Sequence, residues 1–182
     1  MERHFQEELQ TLQQRLLEMG GLAEERVRSA VAGLVAGDTA RLAAVSGGDE
    51  PINELHIEID RRAFQLLALH QPMAVDLRAI VAAVKINTDL ERIGDLAVNI
   101  AEAAGRYLAH PPVKTLVDIP RMGDIAQGML RDALDAFVKQ DMNLAQYVLN
   151  EDDKLDARKD LIFRELLAFM LRDQTTVEPA LA

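Results

Sequence analysis

The chain has 182 residues, 49% of them hydrophobic but only 4% aromatic, with no tryptophan and no cysteine. This excludes disorder, disulfides and thiolate metal sites, and it favours packed helices with a Leu, Ile, Val, Ala and Met core over a β-sandwich. A formal net charge of −10 argues against nucleic acid or anionic lipid as the main ligand, because both need clustered Lys and Arg.

The N-terminal run Met1-Glu2-Arg3-His4 is too charged for a signal peptide, and no apolar run approaches the ~18 residues of a membrane span. The expectation is a soluble cytoplasmic protein with no direct membrane insertion. A first helix runs from Glu2 to Ala36, with Phe5, Leu9, Leu12, Leu16 and Met19 at helical spacing. Gly20 and Gly21 interrupt it at a cost of about 1 kcal/mol each relative to alanine, so the helix either bends or is packed closely there. Gly37-Asp38 reads as a stop followed by an N-cap for a second helix from Thr39. The segment Gly47-Gly48-Asp49-Glu50-Pro51 disturbs this helix, which then resumes to His70, with Asp49 as a cap and Pro51 in the renewed first turn. Gln71-Pro72 breaks the chain again, with Pro72 expected in the first turn of a third helix ending near Tyr107. Leu108 to Val117, containing Pro111-Pro112, is the linker. A fourth helix spans Ile119 to Lys139, and Asp141 caps a fifth that ends near Arg172.

A shift of 103 residues superimposes the two halves. It places Met19-Gly20 on Met122-Gly123, Arg28 on Arg131, Asp38 on Asp141 and Asp49 on Asp152, while apolar Leu22, Val27 and Leu34 fall on Ile125, Leu130 and Phe137. The expected architecture is therefore all-α, a tandem of three-helix bundles. Residues 1–110 form the first repeat and 116–182 an incomplete second repeat of two helices. The repeat mate of Glu91 would be residue 194, beyond Ala182, so an apolar groove is expected where a sixth helix would pack.

The third helix carries the chemistry. On a wheel of 100° per residue, Ile86, Leu90, Ile93, Ala97 and Ile100 gather as a core seam. Thr88, Glu91, Asp95, Asn99 and Glu102 gather roughly opposite, as an outward strip of oxygens. Glu91 and Asp95 lie one turn apart, a like-charge pair that costs a few tenths of a kcal/mol unless a cation joins it. The strip is either an ordinary solvated face or a site for Mg²⁺, Ca²⁺, Mn²⁺ or iron. Asp49 and Asn53 repeat the one-turn spacing at the start of the resumed second helix, and their mates Asp152 and Asp156 repeat it again. Arg92 and Lys85 offer competing ion pairs. His4, His56, His70 and His110 show no metal-type spacing and read as surface or helix-end residues, and the Met residues read as core filling. Asp76 suits the positive end of its helix, while Arg78 reads as an anchor for a carboxylate. No Gly-rich phosphate loop, nucleophile elbow or His-Glu metalloprotease pattern is present.

His4-Phe5-Gln6-Glu7-Glu8-Leu9, the run from Leu67 through Gln71-Pro72 to Asp76-Leu77-Arg78, and Asp89-Leu90-Glu91-Arg92-Ile93-Gly94-Asp95 together resemble the PhoU family along nearly the whole chain. The resemblance implies two similar three-helix bundles and a non-enzymatic, cytoplasmic negative regulator of phosphate uptake and phosphate-starvation signalling. It implies contacts with the ATPase of a phosphate ABC transporter and with a sensor histidine kinase, and a homodimer. It also implies a surface cluster of divalent or iron ions (Fe, Zn, Mn, Mg or Ca) on a Glu/Asp-x-x-x-Asp pattern. Glu91 with Asp95 and Asp152 with Asp156 match that pattern, Asp49 with Asn53 matches in part, and Asn99 extends the strip. The sixth helix, which in the family carries a second Glu-Arg-Ile-Gly-Asp segment, is the main departure. The rival expectation is a metal-dependent hydrolase using surface carboxylates. An outward strip without cleft, general base or substrate loop favours the regulator.

Overall fold

A computed structural model of the chain describes residues 2–48, 50–112, 116–177 and 180. Among them are six α-helices and no strand: α1 (Glu2–Ala36), α2 (Thr39–Gly47), α3 (Glu50–His70), α4 (Ala74–Leu108), α5 (Asp118–Lys139) and α6 (Met142–Arg172). A 3-10 turn at Gln174–Thr176 follows. The disturbance in the expected second helix separates α2 from α3, and Pro51 sits in the first turn of α3, where a missing N–H costs nothing. Pro72 departs from expectation. It lies in the α3–α4 connection, and α4 begins at Ala74 with Met73 as an N-cap that supplies no side-chain hydrogen bond. Gln71 and Ala74 both take positive φ, 46° and 48°, so the turn is made by backbone strain on either side of the proline.

The α1–α2 corner follows from its residues. Gly37 takes φ +67°, the Asp38 N–H reaches the Gly33 carbonyl at 2.9 Å, and the Asp38 carboxylate accepts from the Arg41 N–H at 2.9 Å. That is a left-handed C-terminal cap followed at once by an N-cap. The α5–α6 corner repeats it 103 residues on. Gln140 takes φ 54°, the Asp141 N–H reaches the Ala136 carbonyl at 2.9 Å, and Asp141 Oδ1 accepts from Asn143 and Leu144.

Helices α1, α3 and α4 close the first bundle around Leu12, Leu16, Met19, Ile59, Ala63 and Ile80, all fully buried. Helix α2 buries Leu42 and Val45 against Ala30, Ala101 and Ala104. Helix α5 packs antiparallel on α1, and α6 packs on α5. The α1–α5 contact is twofold in character. Leu134 fills the space beside Gly20, and Val31, its mate in the repeat, fills the space beside Gly123, 3.2 Å from where a Cβ would stand. Arg131 likewise binds Glu24 while Arg28 Nε reaches Gln127, the mate of Glu24, at 3.3 Å. The pairings are reciprocal across a pseudo-dyad, Gly20 with the mate of Val31 and Val31 with the mate of Gly20, as in an isologous dimer. Glycines 20 and 21 therefore do not interrupt α1. Gly20 lets α5 approach, and the helix is continuous.

The second unit is open. Ile119, Met122 and Ala126 are mates of Leu16, Met19 and Ala23, which are fully buried, yet they are only half-buried. With Leu155, Ile162 and Leu166 of α6 they line an apolar groove of about 440 Å³ that also touches Val31 and Ala104. This is the expected groove. Ile162 is the only buried residue of α6 among the described side chains.

Candidate functional site

Helix α4 is continuous through the acidic motif, and its buried residues run Ile80, Ala83, Asn87, Leu90, Gly94, Ala97, Ala101, Ala104. Of the seam expected from the sequence, Leu90 and Ala97 are buried as expected, and the place of the isoleucines is corrected. Ile86, Ile93 and Ile100 flank it half-buried, and its centre is rotated by about 60° at 100° per residue. The reason is the α3 contact, which favours small and polar residues over bulky ones. A Cβ on Gly94 would stand 3.0 Å from Ile52 Cδ1 and 3.7 Å from Arg26 Nη1. Asn87 is fully buried, and its amide donates to the His56 carbonyl at 2.9 Å and to Asp60 Oδ1 at 3.0 Å. Arg26, itself buried, spans to α2, where Nη2 donates to the Val45 carbonyl at 2.9 Å. The sequence reading missed Arg26, Asn87 and Gly94. The 3-4-3-4 spacing of Ile80, Ala83, Asn87, Leu90, Gly94, Ala97, Ala101 and Ala104 along α4 was the signal that could have found Asn87 and Gly94; Arg26, on α1, has no such signal.

The rotation brings Glu91 to the rim of the core, half-buried, on the flank where α3 packs. Asp95, Asn99, Thr88 and Glu102 remain exposed. Asn53 is exposed in the first turn of α3, next in sequence to Ile52, the residue that meets Gly94. Asp49 lies outside the described residues. Asp152 and Asp156 belong to the other unit, exposed on α6, where Lys159 Nζ binds Asp156 Oδ1 at 2.6 Å. That contact raises the Lys159 pKa, chiefly through the hydrogen bond and then through the Asp156 charge. Arg92 pairs with Asp89 at 3.8 Å. Among the described residues, no three His, Asp or Glu side chains converge as they stand on one metal position. The donors come as pairs one turn apart, all oxygen, so each pair offers hard-cation chemistry with two protein ligands.

The α1–α5 contact carries the clearest electrostatic signature. Glu24 accepts from Arg131 and, at 3.1 Å, from Arg28. Its pKa is held below the ordinary glutamate range, first by the Arg131 hydrogen bond, against the opposing effect of burial, and then by the charges of Arg131 and Arg28. Glu58 on α3 is lowered similarly, first by the Arg62 hydrogen bond, against burial, and then by the charges of Arg15, Arg62 and Arg61. No described helix is long and apolar enough to cross a membrane.

Residues 16–104 and 119–182 both match the model of the PhoU domain. The chain is 43% identical over 174 residues to the phosphate-specific transport system accessory protein PhoU homolog of Caulobacter vibrioides, covering 95% of this chain and 76% of the relative. It is 33% identical over 177 residues to the phosphate-specific transport system accessory protein PhoU of Serratia marcescens, covering 97% and 73%. The crystal structure of PhoU from Pseudomonas aeruginosa superimposes with a TM-score of 0.91 at 35% identity, over 97% of this chain and 85% of that one. The phosphate transport system regulatory protein PhoU from Streptococcus pneumoniae superimposes with a TM-score of 0.84 at 27% identity, over 93% and 80%.

Proposed function

The chain belongs to the PhoU family, a non-enzymatic family of phosphate-transport accessory proteins, and from that premise we propose that it is a cytoplasmic negative regulator of phosphate uptake and phosphate-starvation signalling. It acts by contact with the ATPase of a phosphate ABC transporter and with a sensor histidine kinase, as a homodimer and without binding nucleic acid. The observation that carries this is the match of both helical units to the same domain, at 43% identity to an accessory protein of phosphate transport. The apolar lining of the groove beside α5 and the outward position of Asp95 fit contact surfaces better than a hydrolase site.

Cations belong to the same reading. Glu91, Asp95 and Asn99, with Asn53 and with Asp49, would hold one site, and Asp152 with Asp156 the other. A bound divalent or iron ion would neutralise these like-charge pairs and order the surface they share. Measured metal content should fall in the Glu91→Gln, Asp95→Asn double variant. Equal content would reduce the strip to a solvated face.

Expression in a bacterium lacking its own PhoU tests the regulatory role. Restored repression of a phosphate-starvation reporter under plentiful phosphate is the expected result. A reporter that stays on while the protein accumulates, folded by circular dichroism, would overturn it.

A further inference from the structure

One end of the molecule departs in charge from the rest. Residues 61–88, from the last turns of α3 into the first half of α4, carry Arg61, Arg62, Arg78 and Lys85 against a single carboxylate, Asp76, in a chain whose formal net charge is −10. The same stretch leaves Phe64, Leu69, Met73, Leu77 and Val81 exposed, Met73 to 80%. At its tip a cavity of about 320 Å³ opens between Phe5, Leu69, Pro72 and Met73, with His70, held by its 2.9 Å contact to Glu8, in the wall. We propose that this end of the α3–α4 hairpin docks an acidic, amphipathic helix of a partner protein, with a bulky apolar side chain of the partner in the cavity and its carboxylates on Arg61 and Lys85.

Packing sets the arrangement of this surface. Ile52 meets Gly94, and Asn87 donates to the His56 carbonyl and to Asp60, so α3 and α4 run antiparallel in a register that sets Phe64 level with Val81 and Arg61 level with Lys85. Lys85 lies about 18 Å along α4 from Met73 at the tip. A partner helix lying along the hairpin therefore needs its apolar anchor and its carboxylates about three turns apart. A bulky anchor in a pocket supplies most of the energy of such a contact, and the flanking charges select the partner. Among the described residues Lys85 and Arg78 meet no carboxylate, so both are open to acids from a partner. An anionic membrane would offer the same sign of charge. Against it, Glu7 and Glu8 stand at this end on the first turns of α1, and the chain as a whole is acidic. The proposal rests on the reading of the chain as a regulator that acts by contact, and it names the surface used.

The reporter strain tests the surface, with the photocrosslinker benzoylphenylalanine placed at Leu69 in a parallel culture. The double variants Arg61→Glu, Lys85→Glu and Leu69→Ser, Met73→Ser, all exposed changes, should each weaken repression at least about tenfold with helical circular dichroism unchanged. Arg158→Glu with Leu161→Ser, exposed on α6, should leave repression intact. The crosslinked partner peptide should carry Asp or Glu about three turns from the attached residue. Changing those acids to Lys should restore repression by the Arg61→Glu, Lys85→Glu protein. Full repression by both hairpin variants, or the lack of any protein crosslink, would overturn the proposal. So would sedimentation with phosphatidylglycerol vesicles that Arg61→Glu, Lys85→Glu abolishes, which would make the surface a membrane contact. A chain that crosslinks to an acidic helix but does not repress would instead overturn the regulatory role and leave the docking surface standing.

Discussion

Two neighbouring glycines in one continuous helix should respond to alanine in opposite ways. A Cβ on Gly21 meets nothing within 4 Å, so Gly21→Ala gains helix propensity alone, about 1 kcal/mol. A Cβ on Gly20 would overlap Leu134 Cδ1, and Leu90 Cδ2 stands 3.8 Å away on the other side. Leu134 is buried, so its displacement should cost about 1–3 kcal/mol of overpacking. Gly20→Ala is therefore expected to fall between neutral and about 2 kcal/mol destabilising. In a chain of this length each kcal/mol corresponds to about 2–4 °C in melting temperature. The assay is urea and thermal unfolding followed by helical circular dichroism. A Leu134→Ala background supplies the control. That truncation costs about 2–5 kcal/mol by itself, but it opens the space, so adding Gly20→Ala to it should be stabilising by about the same amount as Gly21→Ala. Equal gains from Gly20→Ala and Gly21→Ala in the wild-type background would refute the claim that Gly20 is there to admit α5.

The remaining predictions concern charge and buried polarity. Glu24 has a lowered pKa in the folded chain, so its contribution to stability is present above the ordinary glutamate range and is lost as pH falls through the folded value. Urea midpoints measured from about pH 7 to about pH 3 should drop more steeply for wild type than for Glu24→Gln, and parallel curves would exclude the Arg131 contact as a source of acid sensitivity. Asn87→Ala should destabilise by about 1–3 kcal/mol through lost hydrogen bonds and a cavity. Asn87→Asp should cost more at pH 7, because a carboxylate would face Asp60 with no proton to donate, and acid should relieve part of that excess. Identical unfolding midpoints for the two variants at pH 7 would refute the expected cost of a carboxylate facing Asp60.

What the sequence settled by itself is local or repetitive. Helix limits at Gly37-Asp38 and Gln140-Asp141 follow from capping chemistry that acts within six residues, so they were legible without any neighbour. The register of 103 residues was equally legible, as was the family resemblance carried by Asp89 to Asp95. Tertiary structure decided the rest, because it depends on which helix lies against which. Apolar periodicity alone put Ile86, Ile93 and Ile100 at the centre of the α4 seam. The proximity of Ile52, His56 and Asp60 on α3 moved that centre to Gly94 and Asn87 and carried Glu91 to the rim. The pairing of Arg131 with Glu24 across 107 residues, and of His70 with Glu8 across 62, has no counterpart in local spacing. Short-range rules fix where a helix starts and stops, but only packing fixes how far it is turned, and that rotation determines which side chains meet.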